Sequence, residues 1–501
     1  MAPSQPTTST RLMRKTRSGS SVPQTSTRPS IYSCLMPPDI VLLLCDTARA
    51  DAFSPFGGRS HTPAMEQLAR EGAAFTSAQS HAPWTLPSTA TILSGRLPTE
   101  HGITADTFRW RDGKPTSPAQ AVRAYDGPWL PDELKARGYR TWGASCNTWI
   151  SEWGGFDRSF ETFLDLRDRT RLPRGASGTM LRRARRLWGK VDRGGQQALE
   201  AFRGALAADD RRPLFAMVNL MECHAPYDPP RPYYPYSSVK RVSTRRLSGG
   251  TNKARRYLSY NTRLDVPPVE YVRTIRDLYF AAARYEDALL GRFVQAIRER
   301  GRPTVLAAVA DHGEHLGEMG LFNHNSALTQ ILLHVPLVVW GQGVDIGSAG
   351  GDEPVGTQGL ASWLRSLADG GRPTPLEVVG EIVSEYESTL VHTDLALDIR
   401  ARIESGDPTR VPPMVFHPGM AARRGRWKYV AVQDGPDSLF DLSVDPEESN
   451  DVGGANPAVV TEMRSLKDGW LKRREVTPSY EAGVQAEGDI EEHLRMLGYI
   501  E

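Results

Sequence analysis

The sequence has few cysteines, almost no net charge and no long apolar run near its start, and each shortage argues against a class of protein. The four cysteines, Cys34, Cys45, Cys146 and Cys223, show none of the paired spacings of zinc or redox sites, so we expect free thiols in a reducing compartment. The 61 basic and 59 acidic side chains leave a net charge of +2, whereas a nucleic-acid-binding protein more often carries a basic excess. The apolar run Ile40–Cys45 is far shorter than the roughly 20 residues of a membrane-spanning helix.

The first part of the chain, residues 1–36, is rich in Ser, Thr, Pro and Arg and contains no acidic residue. It lacks the apolar core of a signal peptide, so we expect a disordered tail. Two alternatives stay open: an organelle transit peptide of similar composition, and a true start at Met36, directly before the first predicted strand. The sequence therefore predicts a soluble cytoplasmic protein with no membrane partner.

Patterns typical of strands and helices alternate along the chain. Short apolar runs predict buried strands in DIVLLLC, PLFAMVNL, TVLAAVA and HVPLVVWG, because a strand covered on both faces has no polar side. Amphipathic helices lie between them, among them TPAMEQLAREGAAF and DLYFAAARYEDALLGRFVQAIRERG. This order predicts an α/β fold, a mostly parallel central sheet with helices on both faces. A small antiparallel sheet is expected near the C-terminus, in GRWKYVAVQDGPDSLFDLSVDPEE.

We expect four parts: a disordered tail (1–36), a main α/β domain (37–345), a connection with the small-sheet subdomain (346–480) and a C-terminal tail (481–501). The Gly- and Pro-rich residues 342–412 show little periodicity, which is typical of a connection. Residues 165–265 contain the basic runs LRRARRLWGK and STRRLSGGTNKARR. A solvated insertion is the favoured interpretation of that stretch, and a lid that attracts an anionic substrate is the alternative.

Acidic residues and histidines follow three of the predicted strands. Asp46 follows DIVLLLC, His224 lies shortly after PLFAMVNL, and Asp311 and His312 follow TVLAAVA. In open α/β sheets, ligands bind beyond the carboxyl ends of the strands. One such residue alone would most often cap a loop. Three strand ends together favour a divalent-metal site.

Thr85 stands in HAPWTLPSTATILSGRL, at the start of a predicted helix with Pro87 in its first turn. The free N–H groups and the dipole of a helix start favour an anion there. A bound metal would lower the pKa of the threonine hydroxyl and so make it a nucleophile for phosphorus or sulfur. Capping of the helix is the competing interpretation, and this stretch alone favours it.

Six segments, in the same order, resemble the sulfatase family of the alkaline phosphatase superfamily between about residues 38 and 452. They are DIVLLLCDTARADAFSPFGG, APWTLPSTATILSGRLPTEHG, GYRTWGASCNTWISEWGGFDRSFETF, LMECHAPYDPP, ADHGEHLGEMGLFNHNSALTQILLHVPLVVWG and KYVAVQDGPDSLFDLSVDPEESNDV. The first and fifth resemble the family's metal strands, the second its nucleophile segment and the fourth its substrate-histidine loop. The resemblance implies an alkaline phosphatase-like fold and a hydrolase of phosphoric or sulfuric esters.

The chain departs from the family pattern at the nucleophile. Sulfatases carry Cys-x-Pro-Ser-Arg, in which the cysteine is oxidised to formylglycine, but here Thr85 replaces the cysteine and Thr89 replaces the arginine. A threonine cannot become formylglycine, so water must cleave any covalent intermediate. Relatives in the superfamily that use threonine act on phosphodiesters or transfer phosphate-containing groups. The departure therefore favours a phosphate or phosphonate ester over a sulfate ester.

The resemblance also implies a set of metal ligands that differs from the usual one. The family's Asp-Asp pair becomes Asp46-Thr47, and its Asp-Asn pair becomes Asp311-His312. The implied ligands are Asp46, Thr85, Asp311 and His312. Two carboxylates, one imidazole and one alkoxide suit a single Mn²⁺ or Zn²⁺ ion, with Ca²⁺ and Mg²⁺ as alternatives.

Two further histidines receive roles from the resemblance. His224 matches the family's substrate-side histidine, and His324 falls where the family places a lysine or histidine near the transferred group. Either contact with the anion or protonation of the leaving oxygen suits these side chains, and an ordinary loop or core histidine is the alternative. His101 and Asn147 are weaker candidates, and Cys223 is interpreted as a buried thiol.

The expected function is hydrolysis of a small anionic phosphate or phosphonate ester by Thr85 on one divalent metal. Three alternatives stay open: hydrolysis of sulfate esters without formylglycine, transfer of the phospho group to an alcohol, and a non-catalytic binding protein of the same fold. No nucleic-acid partner is expected, and the sequence does not indicate an oligomeric state.

Overall fold

The structure is a computed structural model in which some stretches of the chain are not described. The described residues are 37–494 without 108–109, 112–113, 167–191, 238–239, 249–252, 347–349, 371–375, 377–379, 388–400, 402, 404–410, 482, 489 and 492–493. The strands are β1 (Asp39–Cys45), β2 (Ala73–Ala74), β3 (Ala78–Gln79), β4 (Trp110–Arg111), β5 (Lys114–Pro115), β6 (Arg140–Ser145), β7 (Thr162–Asp165), β8 (Leu214–Leu220), β9 (Thr304–Val309), β10 (His315–Leu316), β11 (Phe322–Asn323), β12 (Leu337–Gln342), β13 (Val355–Gly356), β14 (Ile382–Tyr386), β15 (Gly419–Arg424), β16 (Trp427–Val432) and β17 (Ser438–Asp441). The α-helices are α1 (Pro63–Glu71), α2 (Thr85–Ser94), α3 (Pro98–His101), α4 (Ala119–Ala124), α5 (Leu130–Ala136), α6 (Gly195–Ala207), α7 (Lys240–Ser248), α8 (Lys253–Asn261), α9 (Val269–Arg300), α10 (Gln330–Leu333), α11 (Gly359–Ala368) and α12 (Pro457–Glu475).

The apolar runs of the sequence form a central sheet. Within the described residues it has seven strands in the order β2-β12-β9-β1-β8-β6-β7. Strand β1 pairs in parallel with β8 on one side and β9 on the other, while β12 runs antiparallel to β9. Every residue of β1, β8 and β9 is buried, which explains their lack of polar alternation. The predicted mostly parallel sheet is confirmed, and helices pack around it, among them α9 with α1 and α6, and α2 with α5 and α11.

A second sheet follows near the C-terminus, as predicted. Strands β14, β15, β16 and β17 pair antiparallel in that order. Helix α12 covers the sheet, and its buried Met463 and Trp470 share a small apolar core with Tyr429 and Leu439. None of the described helices, α12 and the long α9 included, is long and apolar enough to cross a membrane.

The structure corrects two expectations about weakly patterned stretches. Residues 342–412 contain helix α11 and strand β14 in addition to connecting chain. Residues 165–265 include the central strand β8, as the apolar run PLFAMVNL predicts, but in their second basic run Lys253 is only 1 % exposed. The expectation of a solvated insertion is therefore wrong at Lys253, while the first basic run, LRRARRLWGK, lies outside the described residues. The predicted domain boundaries stay predictions.

Candidate active site

The ends of β1 and β9 bring together three of the predicted metal ligands. Asp46 follows β1 and Asp311 and His312 follow β9, and the two strands are neighbours in the sheet. One carboxylate oxygen of each aspartate and one ring nitrogen of His312 all lie within 4.8 Å of one another. All three side chains are fully buried. The rule that ligands gather beyond the carboxyl ends of parallel strands holds here.

The two aspartates fit a cation because each has an oxygen without a hydrogen-bond partner among the described residues, Asp46 Oδ1 and Asp311 Oδ2. Burial and the charge of Asp311 raise the pKa of Asp46 to about 8, and burial raises that of Asp311 to about 7. Two buried carboxylates at this separation repel each other unless a cation lies between them. The two oxygens without a hydrogen-bond partner and the ring nitrogen of His312 therefore fit a divalent metal ion.

His312 presents a lone pair to the same space. Its Nδ1 lies 2.9 Å from the carbonyl oxygen of Gly313, which can only accept, so Nδ1 carries the hydrogen and Nε2 the lone pair. Burial and the neighbouring His324 lower the pKa of His312 to about 3. The ring is therefore neutral at pH 7, which is the form that binds metals, and the Gly313 carbonyl fixes its tautomer.

Thr85 is the first residue of α2, and its hydroxyl faces this centre. Oγ1 lies 3.3 Å from His312 Nε2, and the side chain is fully buried. The residue at the cap position is Trp84, and no side-chain hydrogen bond caps this helix. The Ser88 hydroxyl, one turn further along α2, donates to the carbonyl of Asp311 and so ties the helix to the end of β9. Thr85 completes the group of four residues that the sequence predicts as ligands.

Two asparagines hold the other carboxylate oxygen of Asp46. Asn147 Nδ2 donates to Asp46 Oδ2 at 2.6 Å, and Asn219 Nδ2 lies 3.5 Å from the same oxygen. Asn147, a weaker candidate in the sequence, thus contacts a predicted ligand. Asn219 was missed, although an asparagine inside the apolar run of β8 is a signal that could have found it. His101 instead bonds through both ring nitrogens to Thr91 and the Ile103 N–H, away from these contacts.

The two predicted histidines border the same space. The ring centroid of His324 lies 4.5 Å from that of His312 and 5.4 Å from that of His224. Burial, above all, lowers the pKa of His224 well below its usual value and that of His324 to about 3. Both rings are therefore neutral at pH 7. His224 Nδ1 donates to the carbonyl of Ala225 at 2.7 Å, which leaves the lone pair on Nε2.

Sequence reasoning missed three buried ionisable residues around the site. Glu314 Oε1 lies 3.2 Å from His324 Nδ1 and so orients that ring. Lys253 acts electrostatically on Glu314, and burial lowers the pKa of this lysine to about 8. Glu286 of α9 accepts the backbone N–H of Cys223 at 3.2 Å. Lys253 and Glu286 lie in helices, so the strand-end pattern that predicts the metal ligands gives no signal for these two.

Cys223 itself is the buried thiol that the sequence suggests. The residue is fully buried, and burial together with Glu286 raises the pKa of its thiol well above the usual value. Cys45 lies beside the same carboxyl group, and its thiol pKa is raised for the same reasons. Because a thiolate rather than a thiol is the nucleophile, neither cysteine is suited to attack an ester at neutral pH.

As the pH rises from 5 to 8, we expect the free energy of unfolding to fall less in the Glu286→Gln variant than in the wild type. Burial raises the pKa of Glu286 from 4.5 to about 7, so the folded state binds an extra proton between these values. This proton stabilises the folded wild type fully below the pKa that Glu286 has in the unfolded chain. The stabilisation is lost as the pH rises through the pKa of Glu286 in the folded protein. The difference between the two proteins should change by about 2–3 kcal/mol. Urea unfolding of the two metal-free proteins measures this difference. Parallel pH profiles of the free energy of unfolding would contradict the raised pKa of Glu286.

Comparisons with known proteins agree with this architecture. A family model described as Sulfatase matches residues 38–345. Arylsulfatase K of Danio rerio is 29 % identical over 209 residues, which cover 39 % of this chain and 37 % of that protein. The chain thus spans less than half the length of this relative. Choline-sulfatase of Rhizobium meliloti (strain 1021) is 22 % identical and matches over 86 % of each chain.

One of the similar solved structures is a phosphonate monoester hydrolase from Silicibacter pomeroyi. The TM-score is 0.62 at 17 % sequence identity, and the match covers 88 % of this chain and 96 % of the other. At this identity the likeness concerns the fold. The arrangement of the sheet described above is therefore shared with a structurally known hydrolase.

Proposed function

Because the chain belongs to the sulfatase family, we propose that it is a hydrolase that cleaves a small anionic phosphate or phosphonate ester. Thr85 is the nucleophile, and one divalent metal, Mn²⁺ or Zn²⁺ by its ligand chemistry, is held by Asp46, Thr85, Asp311 and His312. The observation that carries the proposal is the contact of 3.3 Å between Thr85 Oγ1 and His312 Nε2, because it brings the hydroxyl next to one of the proposed ligands.

The reaction follows from the positions of these side chains. A divalent ion bound by these side chains would lower the pKa of the Thr85 hydroxyl and would stabilise negative charge that develops on oxygen during the reaction. Thr85 Oγ1 forms a bond to phosphorus, and the bond from phosphorus to the ester oxygen breaks. The departing alkoxide takes up one proton. Water then attacks phosphorus, the bond to Thr85 Oγ1 breaks, and phosphate or phosphonate is released while the hydroxyl regains its proton.

His224 is suited to carry the proton in both steps. Its Nδ1–H is engaged with the Ala225 carbonyl, so Nε2 first accepts a proton and then donates it. An anionic group bound next to the ring favours the protonated form. His324, oriented by Glu314, lies between His224 and His312 and is placed to contact the transferred group.

One observation favours phosphorus over sulfur and one favours the reverse. Threonine cannot release sulfate by collapse to an aldehyde, which supports a phosphorus ester. The likeness to a choline-sulfatase over 86 % of each chain supports the second candidate, a sulfate-ester hydrolase that works without formylglycine. A transferase that uses an alcohol in place of water would share the first step of the reaction.

A substrate screen tests the proposal. We expect the metal-loaded protein to hydrolyse aryl esters of phosphate or phosphonate with a higher kcat/KM than an aryl sulfate. An aryl phosphate monoester, a diester, a phosphonate ester and an aryl sulfate are compared, with the Asp311→Ala protein from the same preparation as the control for contaminating phosphatases. Preference for the sulfate would favour the second candidate. Absence of turnover on all four would contradict catalysis on this substrate class.

The cytoplasm is the proposed compartment. Within the described part of the chain, Cys45, Cys146 and Cys223 are buried and form no disulfide bond, which suits a reducing environment. Cell fractionation of C-terminally tagged protein, followed by N-terminal sequencing, tests this. Recovery outside the cytoplasm with residues 1–35 removed would make those residues a targeting segment and overturn the proposal.

A further inference from the structure

Apart from the proposed metal, the side chains at the centre of this site offer few positive charges for an anionic substrate. The chain has Thr89 where the family pattern has an arginine. An ester of phosphate or sulfate brings at least one negative charge into this buried space, and burial of an unpaired charge is costly.

Helix α8 delivers a lysine to this space. Lys253 is the first residue of α8 and only 1 % exposed, although it belongs to the basic run that the sequence predicts as solvated. Its Nζ lies 5.4 Å from the ring centroid of Tyr257, and that ring stacks on Phe322 at a centroid distance of 5.8 Å. Lys253 thus lies against the aromatic ring that packs on β11, the strand that leads into His324.

The position of α8 is fixed at its other end. Asn261 Nδ2 donates to the carbonyl of Phe322 at 3.0 Å, and the Phe322 N–H donates to Asn261 Oδ1 at 2.8 Å. A side-chain amide that bonds both backbone groups of one residue behaves as an additional strand partner for β11. The helix therefore holds Lys253 in a defined place instead of leaving it in a mobile surface loop.

The electrostatic effects of Lys253 show which groups face it. Burial lowers the pKa of Lys253 to about 8 while Glu314 opposes that change, so the amine is mostly protonated at pH 7. In turn, Lys253 contributes to the low pKa values of His224 and His324. The ammonium group therefore lies near Glu314 and near both histidines that border the nucleophile.

We propose that Lys253 is a substrate-binding residue whose ammonium group binds a non-bridging oxygen of the phosphoryl or sulfuryl group that Thr85 attacks. It supplies, from a different element, the cation that is missing at Thr89. This inference rests on the proposed function of the same site. The competing explanation is a purely structural ion pair between Lys253 and Glu314.

The test compares Lys253→Met with Lys253→Arg in the full-length, metal-loaded protein, with Lys240→Met as the matched control. Lys240 is an exposed lysine of the neighbouring basic helix α7. Inorganic phosphate and inorganic sulfate are the probes, and calorimetry measures their dissociation constants. We expect Lys253→Met to weaken binding of the preferred anion by about 10- to 100-fold, as for one charged hydrogen bond. Lys253→Arg should stay within about 5-fold of the wild type and Lys240→Met should be unchanged.

A double variant covers the case in which Lys253→Met does not fold because Glu314 is left as a buried unpaired carboxylate. The double variant Lys253→Met, Glu314→Gln removes both charges together, so no buried carboxylate is left without a positively charged partner. We expect this protein to fold and still bind the anion weakly compared with the Glu314→Gln single variant. Anion binding at the wild-type level in either lysine-to-methionine protein would overturn the proposal.

The anion measurement separates this inference from the proposed function. One outcome is that the wild type hydrolyses none of the esters but binds the anion, and that Lys253→Met weakens this binding. The anion site is then supported and the hydrolase proposal is rejected. If Thr85-dependent hydrolysis is found and Lys253→Met keeps both anion affinity and KM, the hydrolase proposal stands and the role of Lys253 is rejected.

Discussion

Thr85→Ala should lower turnover by about 10³-fold or more, because removal of a covalent nucleophile leaves only the contribution of the remaining site. Thr85→Ser keeps an oxygen at the same place and should retain part of the activity. The structural basis is the position of Oγ1, fully buried and 3.3 Å from His312 Nε2. Initial rates on the preferred ester, with metal content and unfolding midpoint measured on the same samples, give the comparison.

Thr91→Val is the matched control for Thr85→Ala. Thr91 is a buried threonine of the same helix, and its hydroxyl bonds to His101 Nε2 at 3.2 Å. Loss of that bond should cost about 1 kcal/mol of stability and leave turnover unchanged. If Thr85→Ala behaves like Thr91→Val, with a small loss of stability and near wild-type turnover, Thr85 only supports the helix start. No side chain caps α2, so a pure capping role already lacks its hydrogen bond.

The strands and the clustering of polar side chains at their ends could be predicted because both depend on local pattern. Strands β1, β8 and β9 are buried on both faces, so their sequences are continuous apolar runs. The register then places whatever polar residue ends each run at one edge of the sheet. Asp46, Asp311 and His312 are such residues, and the structure brings them together.

The residues that the sequence did not reveal are those placed by long-range packing. Glu286 lies in the middle of the long helix α9, where its sequence neighbours show only helical periodicity. Lys253 is embedded in a run of basic residues, and nothing local distinguishes it from its exposed neighbour Arg255. Helix α8, which carries the buried Lys253, is tied to β11 by the contact between Asn261 and Phe322, which are 61 residues apart. Local periodicity carries no information on such a contact.

Helix α11 was missed for a related reason. Its sequence, GLASWLRSLA, lies within a Gly- and Pro-rich stretch, and such composition favours turns and loops. The helix forms because its apolar face, including the buried Trp363 and Leu364, joins the main core. Tertiary burial here outweighs the composition of the surrounding chain.

Removal of the metal should have an effect at least as large as removal of Thr85. We expect about one divalent ion per chain in the wild type, and loss of most of it together with most of the turnover in Asp311→Ala. The oxygens Asp46 Oδ1 and Asp311 Oδ2 have no hydrogen-bond partner in the described part of the chain, so a bound cation would compensate their buried charge. Elemental analysis of dialysed protein measures the content, and Asp287→Asn is the control. Asp287 is another buried carboxylate with a raised pKa, about 6, but it bonds to the N–H groups of Ala64 and Met65.

The pH dependence of metal binding gives this prediction a second, independent measurement. In the metal-free protein the folded pKa values of Asp46, about 8, and Asp311, about 7, exceed the ordinary value of 3.8. Both groups therefore contribute stability below about pH 4 that is lost as the pH rises through 7 and 8. A cation binds only the deprotonated carboxylates, so its affinity rises over the same range. The gain in unfolding temperature on adding Mn²⁺ or Zn²⁺ should therefore be larger at pH 8 than at pH 5.5, and in Asp311→Ala it should be small at both. A gain that is independent of pH, or one that persists in Asp311→Ala, would place the ion elsewhere and remove the activation of Thr85 from the proposed reaction.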